Sequence, residues 1–244
     1  MPAYRYYIDS PLKEKEVTLK GAEHQHLKKV MKQREQEPAE LINGRGSLAY
    51  ATIQQIEKNE TFLRIDRVDF YPITYKFILF QALTSPSHLE VIVEKGTELG
   101  MTELVLFRGT NSTGYFSDQK SKRLEIKIIA ALKQSGRVYL PTIKWIENLD
   151  SIRSNVDFSC FGDVAKDAPP LFQVLPAHDT LKSFSFCSGP ERGFAELETE
   201  ALKKMGFLGI SLHSNILRAE TAPLTFLSLI HHYLRLQRNG TIIN

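Results

Sequence analysis

Residues 215–224 read NILRAETAPL and place Arg218 two positions before Glu220, at the entrance to an apolar helical stretch. Such a pair is either helix-entry chemistry or a cation and an acceptor presented to a ligand. On the first account, Glu220 and Thr221 favour the positive end of the helix and Pro223 suits its first turn. A second stretch, SGPERGF at 188–194, offers Gly189, Pro190 and Gly193, where backbone can approach a ligand closely, with Glu191 as an acceptor. Alone, a G-P-x-x-G is also an ordinary tight turn.

A third stretch carries charge. Between Lys20 and Arg34 there are five basic residues (Lys20, Lys28, Lys29, Lys32 and Arg34) against the single acid Glu23. That excess suits contact with phosphates, or equally a solvated helix face. His24 and His26 lie inside it, and their spacing, with no third partner, favours surface histidines over metal ligands, so no metal is expected. Cys160 and Cys187 each sit in a short apolar run and match neither a zinc nor a redox motif; they read as small buried hydrophobes. No G-x-G-x-x-G follows a strand, and neither a phosphate-binding P-loop nor a G-x-S-x-G elbow is present.

The elements that must position these groups fall into two textures. Residues 1–71 hold short alternating segments, YRYYI, EVTL, AELI, SLAYATIQQI and TFLRIDRVDF, with one helical stretch, HQHLKKVMKQ. They predict a small β-rich module, a barrel. After YPITYK, residues 72–244 alternate strands and helices, which predicts an α/β domain with a mainly parallel sheet. KFILFQAL, TELVLF, TIKWI, FSCF, SFSFCSG and FLGISL are its strands. Its helices are SPSHLEVIVEKGTELG, a longer one with apolar positions 124, 128, 131 and 132, a short one near 150–155, AELETEALKKMG, and a last one from about 222 to 237. Pro169, Pro170 and Pro176 mark a connection. In such a sheet ligands bind beyond the strand C-termini, which selects the loops ALTSPS, SGPERGF and LHSNILRAET.

The 244 residues carry a net charge of +3, with 42% hydrophobic and 24% charged residues, the profile of an ordinary globular protein. The N-terminal stretch lacks the apolar core of a signal peptide, and no run approaches the ~20 apolar residues that cross a membrane. A cytoplasmic protein without membrane partners is expected.

VEKGTELGMTELVLF, AALKQSGRVYLPTI, SGPERGFAELE and SNILRAETA, in this order and spacing, resemble the ribosomal RNA small-subunit methyltransferase E family, of the SPOUT class of knotted methyltransferases. The likeness extends over essentially the whole chain and includes Arg5 and HLKKVMK of the N-terminal module. It implies a PUA-like β-barrel, residues 1–71, followed by a SPOUT α/β domain, residues 72–244, with a deep trefoil knot. General topology rules make a knot improbable, so it rests on the resemblance alone. The implied reaction is methyl transfer from S-adenosylmethionine to N3 of one uridine in 16S ribosomal RNA of the small subunit, by a homodimer. The apolar face of the last helix (Leu224, Phe226, Leu227, Leu229, Ile230, Tyr233, Leu234) is broad enough for a core and a partner.

Carried onto this sequence, the resemblance assigns cofactor binding to Leu83 and Thr84; to Gly189, Pro190, Glu191, Gly193 and Phe194; and to Leu212, Asn215, Ile216, Leu217, Arg218 and Thr221. Arg218 would neutralise charge on the uracil carbonyl oxygens, and Glu220 would act as base or orient that arginine. RNA contacts fall to Arg5, His26, Lys28, Lys29, Lys32, Arg34 and Arg137. Three positions depart from the family pattern: Arg192 replaces a glycine, His213 replaces a glycine, and TSPSHLE lacks the lysines usual in the first loop. An ordinary φ with the side chain outward is expected at Arg192. Two rival readings are an RNA-binding ribosome-assembly factor without catalysis, and a sister enzyme acting on transfer RNA or a ribose hydroxyl.

Overall fold

A computed structural model describes residues 4–113, 115–176 and 181–238. The chain divides into two compact units. The first holds the chain up to Ile73 together with Ile129–Leu140; the second holds Thr74–Ile128 and the chain from Pro141 onward. A boundary drawn along the sequence at 71/72 separates the two segments that build the first unit.

The first unit is a barrel-like sheet of β1 (Arg5–Tyr7), β2 (Glu16–Lys20), β3 (Pro38–Ile42), β4 (Ser47–Ile56) and β5 (Glu60–Phe70), in the order β1-β3-β4-β5-β2. In β4, Ala49, Ala51 and Ile53 are buried while Tyr50 and Thr52 are less so, the period of two of a sheet with one face on a core. Register shifts at Tyr50/Ala51 and Ile53/Gln55 bend the long β4–β5 ribbon around that core. Tyr6, Leu27, Leu41 and Ile53 are fully buried in it, each contributing roughly 1.5–3 kcal/mol by burial.

Between β2 and β3 lies α1 (Gly21–Gln25), which continues as a π-helical turn, His26–Met31, and stops at Lys32 in the left-handed region. Sequence reading places His24 on the surface, but it is fully buried. Its Nδ1 lies 2.8 Å from Thr61 Oγ1 and its Nε2 3.2 Å from the Lys58 carbonyl. With both ring nitrogens satisfied inside the protein, the imidazole packs as a core group.

The second unit contains β6 (Lys76–Ala82), α2 (Pro86–Glu98), β7 (Glu103–Arg108), α3 (Asp118–Ser135), β8 (Thr142–Asn148), β9 (Phe158–Gly162), α4 (Leu171–Val174), β10 (Ser183–Ser188), α5 (Glu196–Lys204), β11 (Leu208–Ile210) and α6 (Thr221–Arg238). Its six strands are all parallel, in the order β11-β9-β10-β6-β7-β8. The central β6 and β10 are buried almost throughout, which explains why β6 is mainly apolar and β10 alternates small Ser with Phe and Cys and carries no charge. α2 packs against α6. Positions 124, 128, 131 and 132 of α3 are all buried, and from Ile129 on that helix belongs to the first unit. Cys160 and Cys187 are fully buried, and burial pushes both thiols well up, so they behave as hydrophobes.

The short helix expected near 150–155 is a single 3₁₀ turn, Leu149–Ser151. There the Asn148 side chain accepts from the Ser151 N–H, and Ile152 is already extended. That bond caps the start of the turn, and the chain leaves helical geometry at Ile152, ψ 128°. The proline connection instead holds α4, which its composition conceals. Among the described residues, no helix is long and apolar enough to cross a membrane.

Candidate functional site

Because β6 and β10 are neighbours, with Gln81 opposite Ser188, the segments that leave their C-terminal ends emerge side by side. Leu83 and Thr84 end the first, both buried. The Leu83 N–H donates to the Phe107 carbonyl at 2.9 Å, so the path turns toward β7 before α2 starts. Gly189–Phe194 forms the second. The Gly193 N–H closes a tight turn onto the Pro190 carbonyl at 2.9 Å, and Gly193 takes the left-handed conformation, φ +73°. Arg192 does not: its φ is ordinary and its side chain exposed, as expected from the intact GPE and GF around it. Glycine is required at 193 and not at 192.

Glu191 ties these two segments together. Its Oε1 accepts from the Ser85 N–H at 2.7 Å and lies 3.1 Å from His88 Nδ1, while Oε2 accepts from Thr113 Oγ1 at 3.4 Å. Partial burial works against its charge. The Ser85 and Glu191 backbone N–H groups and His88 outweigh that and hold the carboxyl below its ordinary value. Since an ionised carboxylate only accepts, His88 Nδ1 carries the proton of that contact. A depressed carboxyl contributes stability that is fully present above its unfolded value, near 4.5, and is lost as pH falls through the lower folded one. Protease cleavage within 189–194 is therefore expected to rise below about pH 4.5. In Glu191→Gln the loop should be cleaved more readily at neutral pH and lose that acid dependence.

The third segment, Ser211–Glu220, leaves β11 at the sheet edge and runs back across the ends of the inner strands. Ser188 Oγ donates to the Ala219 carbonyl at 3.4 Å, and His88 Nδ1 lies 3.7 Å from Glu220 Oε2. His88, in the first turn of α2, is thus an imidazole between two carboxylates. The Arg218 carbonyl accepts from the Thr221 and Ala222 N–H groups at 2.9 and 3.0 Å and starts α6, while its side chain is exposed. Among the described residues the ionisable neighbour of Glu220 is His88, not Arg218. Asn215 is held by its N–H to His213 Nδ1 at 3.0 Å, so the histidine at a family glycine position shapes this loop. Leu212 and Leu217 are half-buried, Thr221 is exposed, and Ile216 is 82% exposed, an apolar side chain presented to solvent.

Among the described residues, two acceptors here are buried without a hydrogen-bond donor: Gln81 Oε1 and Glu220 Oε2. The Gln81 amide N–H groups go to the Ala82 and Gly189 carbonyls at 2.9 and 3.2 Å, which leaves its oxygen with no donor. A buried unpaired acceptor costs about 1–3 kcal/mol and marks a place where a ligand donor would be stabilised. Sequence reading missed Gln81, Ser85, His88 and Thr113. Only His88 had a signal, as the one ionisable cation of TSPSHLE. It also missed Glu198, which accepts from the Ala195 and Thr110 N–H groups, both at 2.8 Å, and joins the loop after β7 to the start of α5.

The sequence-predicted RNA residues all lie in the first unit and divide in two. Lys28, Lys29, Lys32 and Arg34 are exposed around the π-helical turn, and the Lys28 Nζ makes one exposed bond, to the Glu57 carbonyl. His26 is half-buried, its ring 6.1 Å from that of Tyr6. Arg5 is not on that surface. Its side chain is 8% exposed and paired with Glu40 at 2.5 Å. Arg137 lines a cleft with it. Replacing Lys28, Lys29 and Lys32 together by alanine is expected to weaken RNA binding and reduce its salt slope by up to ~0.7 per lost single-strand phosphate contact. An unaltered slope would return the stretch to a solvated face.

A family model for the RNA methyltransferase domain matches residues 72–231. The chain is 28% identical to ribosomal RNA small subunit methyltransferase E of Rickettsia conorii, covering 93% of this chain and 94% of that protein. The protein of the same name from Bacillus subtilis is 26% identical, over 96% of this chain and 98% of that one. Among solved structures, ribosomal RNA small subunit methyltransferase E from Neisseria gonorrhoeae bound to S-adenosyl methionine superposes with a TM-score of 0.84. It is 25% identical, covering 94% and 97% of the two chains. A parallel sheet whose three C-terminal segments meet around unpaired buried acceptors, and a family model spanning that whole sheet, lead to one conclusion: the chain belongs to the RNA methyltransferase domain family.

Proposed function

We propose that this chain methylates N3 of a specific uridine in the 16S ribosomal RNA of the small subunit, with S-adenosylmethionine as methyl donor, as a cytoplasmic homodimer. The carrying observation is the convergence of Leu83–Ser85, Gly189–Phe194 and Arg218–Glu220 on the orphan acceptors Gln81 Oε1 and Glu220 Oε2. The residues fit the cofactor. A Cβ at Gly189 would meet the Phe194 nitrogen at 3.1 Å, so this turn is tight backbone throughout, able to offer its peptide groups to adenine edges. Leu83 and Pro190 supply buried apolar surface for the ring, and the two acceptors suit an ammonium, a hydroxyl or a sulfonium. When bound, the cofactor supplies an electrophilic methyl group.

The chain's own residues must orient the uracil and manage the proton on N3. Arg218, exposed at the mouth of the last loop, stabilises the charge that develops on the carbonyl oxygens as N3 is deprotonated. Glu220 accepts that proton or holds His88 in place. The trefoil knot and the dimer belong to the same proposal. On α6, Leu224, Leu229 and Tyr233 remain part-exposed, available to a second copy.

The test is methylation of small ribosomal subunits and their RNA with methyl-labelled cofactor, followed by nucleoside analysis. 3-Methyluridine in 16S RNA is the expected product. Label in transfer RNA or on a ribose would indicate the sister activity, and RNA binding without label an assembly factor.

A further inference from the structure

Three groups meet at the first turn of α2: the Ser85 N–H, the His88 imidazole, and the Glu191 carboxylate that reaches in from the loop after β10. The positive end of a helix favours a carboxylate, so Glu191 is held there by the helix as well as by its donors. His88 Nδ1 faces two acceptors at unequal distances. Glu191 Oε1 is 3.1 Å away, within the range of an N–H···O bond, and Glu220 Oε2 is 3.7 Å away, outside it. Nδ1 has one proton to donate, and the distances give it to Glu191.

That leaves Glu220 in an unusual position for a carboxylate. Its side chain is 15% exposed, and Oε2 is buried with no hydrogen-bond donor. The imidazole N–H nearby attracts the carboxylate and fixes Oε2 in place without filling a lone pair. A carboxylate that only braces the fold looks different. Glu198, in the same unit, has a backbone N–H at 2.8 Å on each of its two oxygens. A group that must take a proton needs a lone pair that is not already bonded, and Glu220 Oε2 has one where Glu198 does not.

We infer that His88 is a positioning residue: anchored on Glu191, it holds Glu220 in place and unbonded, so that Oε2 receives the N3 proton of the uracil. The inference rests on the methyl-transfer reading for the identity of that proton, and it narrows the two roles of Glu220 to that of acceptor. In the step, the N3–H bond breaks and an O–H bond forms at Oε2. The electron pair left on N3 bonds to the methyl carbon, and the carbon–sulfur pair of the methyl donor leaves with its sulfur. The proton then passes from Glu220 to water as the product departs. An imidazole edge suits this role, since it presents one N–H to the two carboxylates where an ammonium would present three.

The experiment uses the full chain, small ribosomal subunits and methyl-labelled S-adenosylmethionine in single turnover, with cofactor affinity measured by calorimetry. Glu220→Ala is expected to lower the rate about 10²-fold, the usual contribution of a positioned base, with cofactor affinity changed no more than a few-fold. His88→Ala is expected to lower the rate about tenfold when Glu220 is present and to have no effect when Glu220 is already alanine, a coupling within the range found for residues in contact. A brace for the fold alone would cost the same in both backgrounds. Where thermal melting shows that His88→Ala does not fold, His88→Gln, which fills similar space, takes its place. Nitrogen-15 NMR of the histidine rings reads the anchor without any substrate: the His88 Nδ1 signal should be displaced by Glu191→Ala far more than by Glu220→Ala. Equal rate losses in the two backgrounds, no loss in either, or an Nδ1 signal that follows Glu220 would each overturn the inference. Absence of methyl transfer by the wild-type protein, with the NMR result as expected, would instead overturn the enzymatic reading and leave His88 anchored on Glu191.

Discussion

Arg218→Ala is expected to reduce kcat for methylation of the small-subunit RNA by about 10²–10³, the usual cost of removing one donor aimed at developing negative charge. S-adenosylmethionine affinity should change no more than a few-fold. The division follows from which atoms of Arg218 are already engaged. Its carbonyl accepts the Thr221 and Ala222 N–H groups at the start of α6, a backbone role that alanine preserves. Its side chain is exposed and, among the described residues, makes no ion pair with Glu220. Helix entry and the proposed charge stabilisation therefore reside in different parts of one residue, and the variant removes only the second. Single-turnover methylation read beside thermal melting separates them. A lowered melting temperature with unchanged kcat would assign Arg218 to helix entry after all. Arg218→Lys should recover part of the rate, since a point charge replaces a planar fork that can reach two oxygens.

The strands and helices of the second unit were legible because burial dictates their composition. β6 reads as a mainly apolar run and β10 as an uncharged one since both faces are covered, and the buried positions of α3 recur at helical spacing. Strand order was not legible. That β10 inserts between β6 and β9 depends on long connections, residues 163–182 being the shortest of them, whose sequences carry no pairing information. The first unit shows the same limit. Ile129–Ser135 continues the periodicity of α3 without interruption, and only the packing of Leu132, and of Val138 and Leu140 beyond the helix, with Ile42 and Leu48 places the segment with the sheet.

Of the candidate site, glycine and charge were the readable parts. GPERGF announces a turn, and the structure puts the positive φ at Gly193 while leaving Arg192 relaxed and exposed. The acceptor that ties the site together, Glu191, was readable as an acceptor but not by its partners. Two of the donors that hold it, the Ser85 N–H and the Thr113 hydroxyl, come from segments about 106 and 78 residues away. Gln81 was invisible for a related reason. A glutamine inside an apolar strand reads as a blemish, and only the pairing of β6 with β10 shows its amide reaching the Gly189 carbonyl. His24 misled in the opposite direction, since a histidine in a basic helix looks solvated until Thr61 and Lys58 close over both nitrogens.

Gly46→Ala is expected to destabilise the first unit by about 3 kcal/mol. The residue has φ +96°, where a side chain costs roughly 1–2 kcal/mol, and a Cβ there would collide with the Tyr139 hydroxyl and lie 2.8 Å from the Tyr71 carbonyl. Overpacking of that kind adds about 1–3 kcal/mol. The obstructed groups are not free to retreat. The Gly46 N–H donates to the Val138 carbonyl and its own carbonyl accepts from the Tyr71 N–H, both at 2.9 Å, while Arg45 bridges to Tyr139. This one glycine thus lets Tyr139 and the Tyr71 backbone approach each other, and filling it must move at least one of them. Gly21→Ala is the control: φ is +55° but nothing lies within 4 Å of the added carbon, so only the conformational cost applies. Urea unfolding should show a midpoint loss for Gly46→Ala at least twice that of Gly21→Ala. Equal losses would mean that the turn at Gly46 yields without moving the tyrosines.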